Sequence, residues 1–368
     1  MSLVNRHDLT RCVLRALSVT IDRSAIIHNY GVAKQLAGAA SVFAVIKADA
    51  YGHGAAEVAT ALSMADAFAV VTTGEAIALR EAGVKQAILV MQGPTHVSQL
   101  ASYIEHDLWA SIHDEHQLGW LKCAPQLDQL SLWFKIDTGM GRLGLSLAQA
   151  ELELESEQIN WMGMLTHLAS ADDRSCSEVT AQAQRFAALQ SRFPHLLSSI
   201  ANSAGIMAWP DLRAHWVRPG LMLYGSTPFD GTTAASENLK PAMRVTAPLI
   251  SVKKYAEGAS IGYAHQYHCP EDMLVGHVGA GYGDGLPRVL DTTATLLVHE
   301  TPCQVIGRVS MDSIAIDLRS LNSVSTTVKP GDEVEIWGPD HPVELLAAAA
   351  GTISYELITQ VRGNRLYL

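Results

Sequence analysis

The sequence predicts an α/β protein, an N-terminal (β/α)8 TIM-type barrel followed by a mostly β C-terminal domain. Two observations carry that prediction. Between Val42 and Gly220 eight short apolar segments recur, most of them separated by amphipathic stretches. Such alternation implies parallel strands joined by crossovers, and eight of them match a barrel of about 250 residues. Beyond "STPFDGTTAASENLKP", rich in Ser, Thr, Gly and Pro, β-type segments follow one another without helices between them, the mark of antiparallel pairing. A chain of 368 residues also exceeds the size at which single cores stop growing. Residues 1–235 are therefore assigned to the barrel and 236–368 to the second domain, with the first strand, 13–21, able to join either. A doubly wound sheet is the structural alternative.

The elements follow in order. "RALSVTID" alternates as a first strand, and a helix with Ile26, Tyr30, Ala33 and Ala37 at helical spacing follows it. The barrel strands are "VFAVIKAD", "DAFAVVT", "QAILVMQG", "DLWASIHD", "SLWFKID", "NWMGMLTHLA", "LLSSIANS" and "HWVRPG". "TGEAIALREAG" and "CSEVTAQAQRFAALQSRF" are two of the helices between them. The second domain reads as "MRVTAPLISVKKYA", "DMLVGHVGAG", "TLLVHE", "CQVIGRV", "SIAIDL" and "DEVEIWG", then one helix, "PVELLAAAAGTISYELIT", and a closing "RLYL".

Composition excludes several classes. Hydrophobic residues make up 48% and charged ones 17%, which is globular rather than disordered. A net charge of −11 argues against nucleic acid as a partner. No apolar run approaches membrane-spanning length. "MSLVNRHDLTRCVLRALSV" lacks an uninterrupted apolar core, so no signal peptide is read there. Five widely spaced cysteines, Cys12, Cys123, Cys176, Cys269 and Cys303, suit free thiols in a reducing cytoplasm.

In "SVFAVIKADAYGHG" a buried strand ends in Lys47, then small residues, Tyr51, Gly52 and Gly54. Taken alone, Lys47 is a solvated strand end with its ammonium snorkelling outward. The other reading is a desolvated amine that attacks a carbonyl. The remaining strand ends bear on the choice, because barrel active sites lie where strands meet their following loops. They carry Lys135, Arg142 in "DTGMGRLG", His167, Ser203 in "NSA", and Arg218 with Gly220 in "RPG". Phosphate in barrels sits on the loops after strands seven and eight. Here those loops offer Ser203 and the amides of Gly220 and Leu221. A lysine for an aldehyde and a nest for a phosphate together point to pyridoxal 5′-phosphate. Arg218 then faces the pyridine nitrogen. An arginine only donates hydrogen bonds, so it keeps that nitrogen unprotonated and the ring a weak electron sink. Proton exchange at an α-carbon gains most from such a ring.

"VIKADAYGHG", "KIDTGMGRLG", "THLASAD", "NSAG", "WVRPGLMLYG", "IGYAHQY", "GAGYGDGLPR", "GRVSMD" and "AAGTISYEL" resemble, in order, the motifs of bacterial alanine racemases. The resemblance covers nearly the whole chain, with one departure: Asp49 stands where the family usually has asparagine. It implies a cytoplasmic, pyridoxal-phosphate-dependent racemase of fold type III. The enzyme would interconvert L- and D-alanine and supply D-alanine for peptidoglycan. It implies that Lys47 binds the cofactor and is one base, and that Tyr263 is the other. Tyr51, Ser203, Gly220, Leu221 and Tyr355 would hold the phosphate. Arg218 would face the pyridine nitrogen with His167 beside it. Arg142 would contact the cofactor's phenolic oxygen and the substrate carboxylate, and the Met311 backbone N–H would meet that carboxylate. Lys135 matches a lysine often carbamylated in the family, and Tyr282 and Arg308 match the entrance corridor. The resemblance further implies a head-to-tail homodimer with shared sites, Tyr263 and Met311 arriving from the second subunit. Read by itself, the tyrosine of "IGYAHQY" is strand filling in a core.

Two bases suit this chemistry. Removing the α-proton leaves a planar carbanion, and inversion returns a proton to the opposite face. Free Lys and Tyr have similar pKa values, about 10.4 and about 10, so both directions run well. Each must act below its free pKa, which requires neighbouring cations or desolvation.

Weaker signals point elsewhere. "GMGRLG", with Gly139, Gly141 and Gly144, fits a nucleotide-loop pattern, the basis of an NAD-linked oxidoreductase reading. It reads better as a loop turning under Arg142. "HDEH", His113 to His116, reads as a helix start, and neither it nor "HQYHC" has zinc spacing, so no metal is expected. Three further rivals are a serine racemase, a barrel-fold amino-acid decarboxylase and a non-catalytic barrel that carries pyridoxal phosphate.

Overall fold

The computed structural model describes residues 15–156, 158–323 and 327–368. Cys12 and most of the stretch read for a signal peptide lie outside the described residues. The chain divides into two compact units, one of Ile26–Leu239 and one of Met1–Ala25 with Lys240–Leu368. The first strand, β1 (Ser18–Ile21), belongs to the second of these.

In the first unit eight strands close a barrel in sequence order: β2 (Ser41–Val45), β3 (Ala67–Val70), β4 (Ala87–Val90), β5 (Leu108–Ile112), β6 (Ser131–Lys135), β7 (Trp161–Leu165), β8 (Leu197–Asn202) and β9 (Trp216–Arg218). Neighbours pair in parallel throughout, and β2 closes on β9 through Ser41–Trp216 and Val42–Val217. Every residue of β3 is buried, as expected where helices cover one face of a parallel sheet and side chains fill the other. Near the strand starts Phe43 stacks on Trp216 at 4.1 Å and meets Trp133 edge-on at 5.5 Å. These rings, with Trp109, fill one end of the barrel and leave chemistry to the other.

In the second unit an eight-stranded sheet uses β1 with β10 (Met243–Tyr255), β13 (Met273–Val278), β14 (Thr295–Val298), β15 (Thr301–Ile306), β16 (Ile314–Asp317), β17 (Glu333–Trp337) and β18 (Asn364–Tyr367). The pairs are antiparallel except β1 with β18, which run parallel. A separate two-stranded ribbon, β11 (Ser260–Ile261) with β12 (Tyr267–His268), went unread in the sequence. The segment "PVELLAAAAGTISYELIT" is two helices, Val343–Ala349 and Ser354–Gln360, where the sequence predicts one. Gly351 breaks it at φ 65°, a left-handed position that glycine takes without penalty. Cys123, Cys176, Cys269 and Cys303 are free thiols. No helix among the described residues is long and apolar enough to cross a membrane.

Candidate active site

Lys47 stands where β2 ends, and the chain then makes a left-handed turn. Ala48, Asp49, Ala50 and Tyr51 have φ of 51–53°. Residues with a Cβ pay roughly 1–2 kcal/mol each there, so the turn needs external support. Its own backbone supplies Gly52 N–H to Ala48 O at 3.1 Å and Gly54 N–H to Asp49 O at 2.9 Å. His53 Nδ1 lies 2.9 Å from Tyr51 O and 3.1 Å from Ala50 O. Asp49 Oδ1 accepts from Ala55 N–H at 2.8 Å, at the start of the helix Ala55–Ala61. An asparagine oxygen would accept the same bond, so the departure at this position keeps the bond to Ala55 and adds a charge. Glu75 accepts from Ala48 N–H at 2.7 Å.

Lys47 shares the strand-end side of the barrel with four other cationic or basic groups. Burial first, then the Arg142 guanidinium, lowers the Lys47 pKa against the pull of Glu75. Lys135, buried at the end of β6, is pushed down to about 8 by burial and then by Arg218, Arg142 and Lys47. Burial and the same cations hold His167 well below its ordinary value, as a neutral imidazole. Arg218 is fully desolvated and lowered to about 10, so it stays charged at neutral pH. It donates from Nη1 to Ser199 Oγ at 2.5 Å, and from Nη2 to Thr166 O and to Ile200 O at 3.3 Å. Asp137 folds the loop that presents Arg142. Burial raises its carboxyl, but N–H groups of Gly139, Gly141, Met140 and Arg142 outweigh that and hold it below the usual range. A Cβ on Gly144 would sit 2.4 Å from Asp137 N. The glycines of "GMGRLG" therefore serve this turn rather than a nucleotide loop.

The loops after β8 and β9 meet at Ser203. Its Oγ accepts from Gly220 N–H at 2.9 Å and from Met222 N–H at 3.3 Å. Asn202 caps the short helix Ser203–Ala208 through Gly205 N–H at 2.9 Å. The Tyr51 ring stacks on Tyr224 at 4.7 Å, and Tyr224 donates to Val45 O at 2.8 Å. A Cβ on Gly220 would lie 2.5 Å from Tyr51 Oη and 3.2 Å from its Cζ. Gly220→Ala is therefore expected to displace Tyr51. Overpacking of this kind costs roughly 1–3 kcal/mol, a loss that urea denaturation of the variant measures.

The remaining site residues lie on the second unit. Tyr263 follows β11 on a turn with Gly262 at φ 73°, Ala264 at 62° and His265 at 50°. It is 67% exposed, which corrects its reading as core filling. Arg308 donates from Nε to Gln266 Oε1 at 2.7 Å, tying its loop to the same turn. The loop of Tyr282 joins that of Met311 through Tyr282 N–H to Ser310 O at 3.1 Å and Gly283 N–H to Met311 O at 2.9 Å. Tyr263, Tyr282, Arg308 and Met311 thus gather on one edge of their unit. Tyr355 lies on the helix Ser354–Gln360 of the same unit.

Two supporting residues escaped the sequence reading. Gln182 donates from Nε2 to His167 O at 3.0 Å and accepts from Ala169 N–H at 2.9 Å, and only its place on an amphipathic helix was visible. Glu75 lay within a readable capping-box pattern, Thr72 to Glu75, but its bond to Ala48 spans two βα units. "HDEH" is a helix start: Asp114 Oδ1 accepts from His116 N–H at 2.8 Å.

Comparison with known proteins follows the same division. The family model for the N-terminal domain of alanine racemase matches residues 21–228, and that for the C-terminal domain matches 242–367. An alanine racemase of Coxiella burnetii (strain CbuG_Q212) is 40% identical over 354 residues, 94% of this chain and 96% of that protein. One of Nitrosococcus oceani is 42% identical over 349 residues, covering 94% and 96%. The biosynthetic alanine racemase of Pseudomonas aeruginosa superposes with a TM-score of 0.91 at 36% identity, over 96% of this chain and 100% of that one. The Bartonella henselae structure, solved with covalently bound pyridoxal phosphate, gives 0.86 at 28% identity, over 96% and 99%. A (β/α)8 barrel with basic groups at its strand ends, a β-rich second unit and matches of this length leave one assignment: the chain belongs to the alanine racemase family of isomerases.

Proposed function

We propose that this chain is a pyridoxal-phosphate-dependent racemase that interconverts L- and D-alanine with two bases, Lys47 and Tyr263. In this reading it is a cytoplasmic homodimer that supplies D-alanine for peptidoglycan. The observation that carries the proposal is the pairing of a desolvated Lys47 with the cradle of Ser203, Gly220 and Tyr51 on one barrel. The donor set fits a phosphate. The Ser203 hydroxyl, the Gly220 and Met222 N–H groups that meet at it and the Tyr51 phenol lie together, and Gly220 has no Cβ to crowd that phenol.

Pyridoxal phosphate, when bound, supplies an aldehyde for amine attachment and a ring that takes up the electron pair left by the departing α-proton. The chain's own residues do the rest. Ser203, the Gly220 and Leu221 amides, Tyr51 and Tyr355 hold the phosphate. Arg218, charged and incapable of accepting a proton, faces the ring nitrogen and limits how much charge the ring takes. Arg142 and the Met311 N–H orient the substrate carboxylate. Lys47 Nζ and Tyr263 Oη move the proton on opposite faces of the α-carbon. Neutral His167 adds no charge beside Arg218. The edge bearing Tyr263 and Met311 would serve the partner subunit's barrel. A racemisation assay of the cofactor-loaded protein across the twenty L-amino acids tests the proposal. Alanine turning over fastest supports it. Serine turning over fastest, or no turnover of any amino acid, overturns it.

Lys135 is the proposed carbamate. With its pKa near 8, a large share of the amine is neutral at pH 8, whereas an ordinary lysine at about 10.4 would be almost wholly protonated. The neutral amine adds to carbon dioxide and releases one proton, leaving an anion that holds Arg142 by a charge-assisted hydrogen bond. Falling pH protonates the amine and disfavours the adduct. Affinity for alanine is therefore expected to fall in buffer stripped of carbon dioxide and to return with bicarbonate, the return being less complete below pH 8. A bicarbonate-independent KM, equal in Lys135→Ala, refutes the assignment.

A further inference from the structure

One carboxylate reaches the lysine turn from a neighbouring βα unit. Glu75 Oε1 accepts from Ala48 N–H at 2.7 Å, while Oε2 accepts from Val71 N–H and Thr72 N–H, each at 2.9 Å. Ala48 follows Lys47 directly and opens the left-handed run that ends at Tyr51. We propose that Glu75 is a positioning residue for the attachment lysine: its carboxylate clamps the left-handed Lys47–Tyr51 turn to the loop after β3, and so fixes where the amine and the Tyr51 phenol stand. The proposal rests on the reading of Lys47 as the attachment lysine.

Two observations separate this role from plain helix capping. A capping box at the helix Thr73–Glu81 needs only the Thr72 and Glu75 exchange, in which Glu75 N–H donates to Thr72 Oγ1 at 3.2 Å and Thr72 N–H to Oε2. The Oε1 bond to Ala48 is additional and reaches across 27 residues. It also falls where help is needed, since four successive residues bearing a Cβ occupy left-handed backbone there. Besides, the carboxylate is the anion that opposes burial and Arg142 at the lysine. Lys135 and His167 also face that amine electrostatically, and the Tyr51 ring lies 5.9 Å from its Nζ. None of these groups changes in the variants below.

Glu75→Gln removes the charge and places an amide donor against backbone donors. Glu75→Asp keeps the charge and loses the reach to Ala48. Thr72→Ala breaks the capping box and leaves the Ala48 bond. Pyridoxal phosphate is titrated into the cofactor-free form of each full-length protein, followed by absorbance. Both Glu75 variants are expected to raise Kd by about tenfold or more, the scale of one lost hydrogen bond to a charged group, while Thr72→Ala stays within about twofold. A second readout is the pH profile of kcat with D-alanine in the loaded proteins. Loss of the anion makes Lys47 easier to deprotonate, so the acid limb moves to lower pH in Glu75→Gln and stays in Glu75→Asp. Thr72→Ala matching the Glu75 variants in Kd, or an unmoved limb in Glu75→Gln, overturns the proposal. Should Glu75→Gln fail to fold, Glu75→Asp against Thr72→Ala decides it by Kd alone. Borohydride labelling of the wild-type protein away from Lys47 overturns the attachment reading and this proposal with it. Label on Lys47 with unchanged Kd in the Glu75 variants overturns this proposal alone.

Discussion

Lys47→Ala is expected to abolish racemisation and covalent attachment of pyridoxal phosphate while leaving a folded protein. The side chain that is lost is a partly desolvated amine beside Arg142. Removing it relieves like-charge repulsion from Arg142 and forgoes the pull of Glu75 and the Tyr51 ring contact, so thermal unfolding of the cofactor-free variant should stay close to that of the cofactor-free wild type. Attachment requires a neutral amine, and the lowered pKa of Lys47 raises the neutral fraction at physiological pH. Lys135 is the competitor, because its pKa is also lowered and it shares the same barrel end. Borohydride reduction followed by peptide mapping separates the two. The pyridoxyl label should sit on the peptide that contains Lys47 and vanish in Lys47→Ala. Label on Lys135, or a Lys47→Ala variant that still acquires it, would sink the assignment.

Much of the barrel was legible because its strands are apolar on both faces and end in polar groups. β3 reads as an uninterrupted buried run, and Lys135 and Arg218 stand at the last positions of β6 and β9. What stayed hidden was non-local or conformational. Nothing in "KADAY" announces a left-handed turn, since each of its residues carries a Cβ, and only Gly52 and Gly54 signalled a bend. The turn exists because distant groups, Glu75 among them, outweigh local preference. The ribbon of β11 and β12 has two residues in each strand, too few for any period to show. β1 lies beside β18 from the far end of the chain, a pairing that composition cannot foretell. In the second unit the tyrosine of "IGYAHQY" read as core because aromatic residues usually are. It is exposed instead, on a turn where Gly262, Ala264 and His265 take positive φ, a conformation that Ala264 and His265 do not signal in sequence.

Tyr263→Phe carries the other large expected effect. The side chain is 67% exposed on its turn, so losing the hydroxyl should leave the melting temperature unchanged. Lys47, Tyr51, Ser203 and Gly220 lie on the barrel unit and are untouched, so pyridoxal phosphate should still bind with a normal absorbance spectrum. Racemisation should fall by roughly 100- to 10,000-fold, the usual worth of a positioned acid–base group. Two measurements distinguish a base from a structural residue. Mixing Lys47→Ala with Tyr263→Phe subunits should restore one good site per heterodimer, and no recovery after verified subunit exchange counts against shared sites. Solvent deuterium wash-in then assigns the faces. Lys47 is expected to serve the α-proton of D-alanine and Tyr263 that of L-alanine. The Phe variant should therefore still exchange D-alanine with retention, while exchange of L-alanine nearly stops. Equal loss of exchange from both enantiomers would make Tyr263 structural, and a single base would then have to account for inversion, which one group on one face of a planar carbanion does not do.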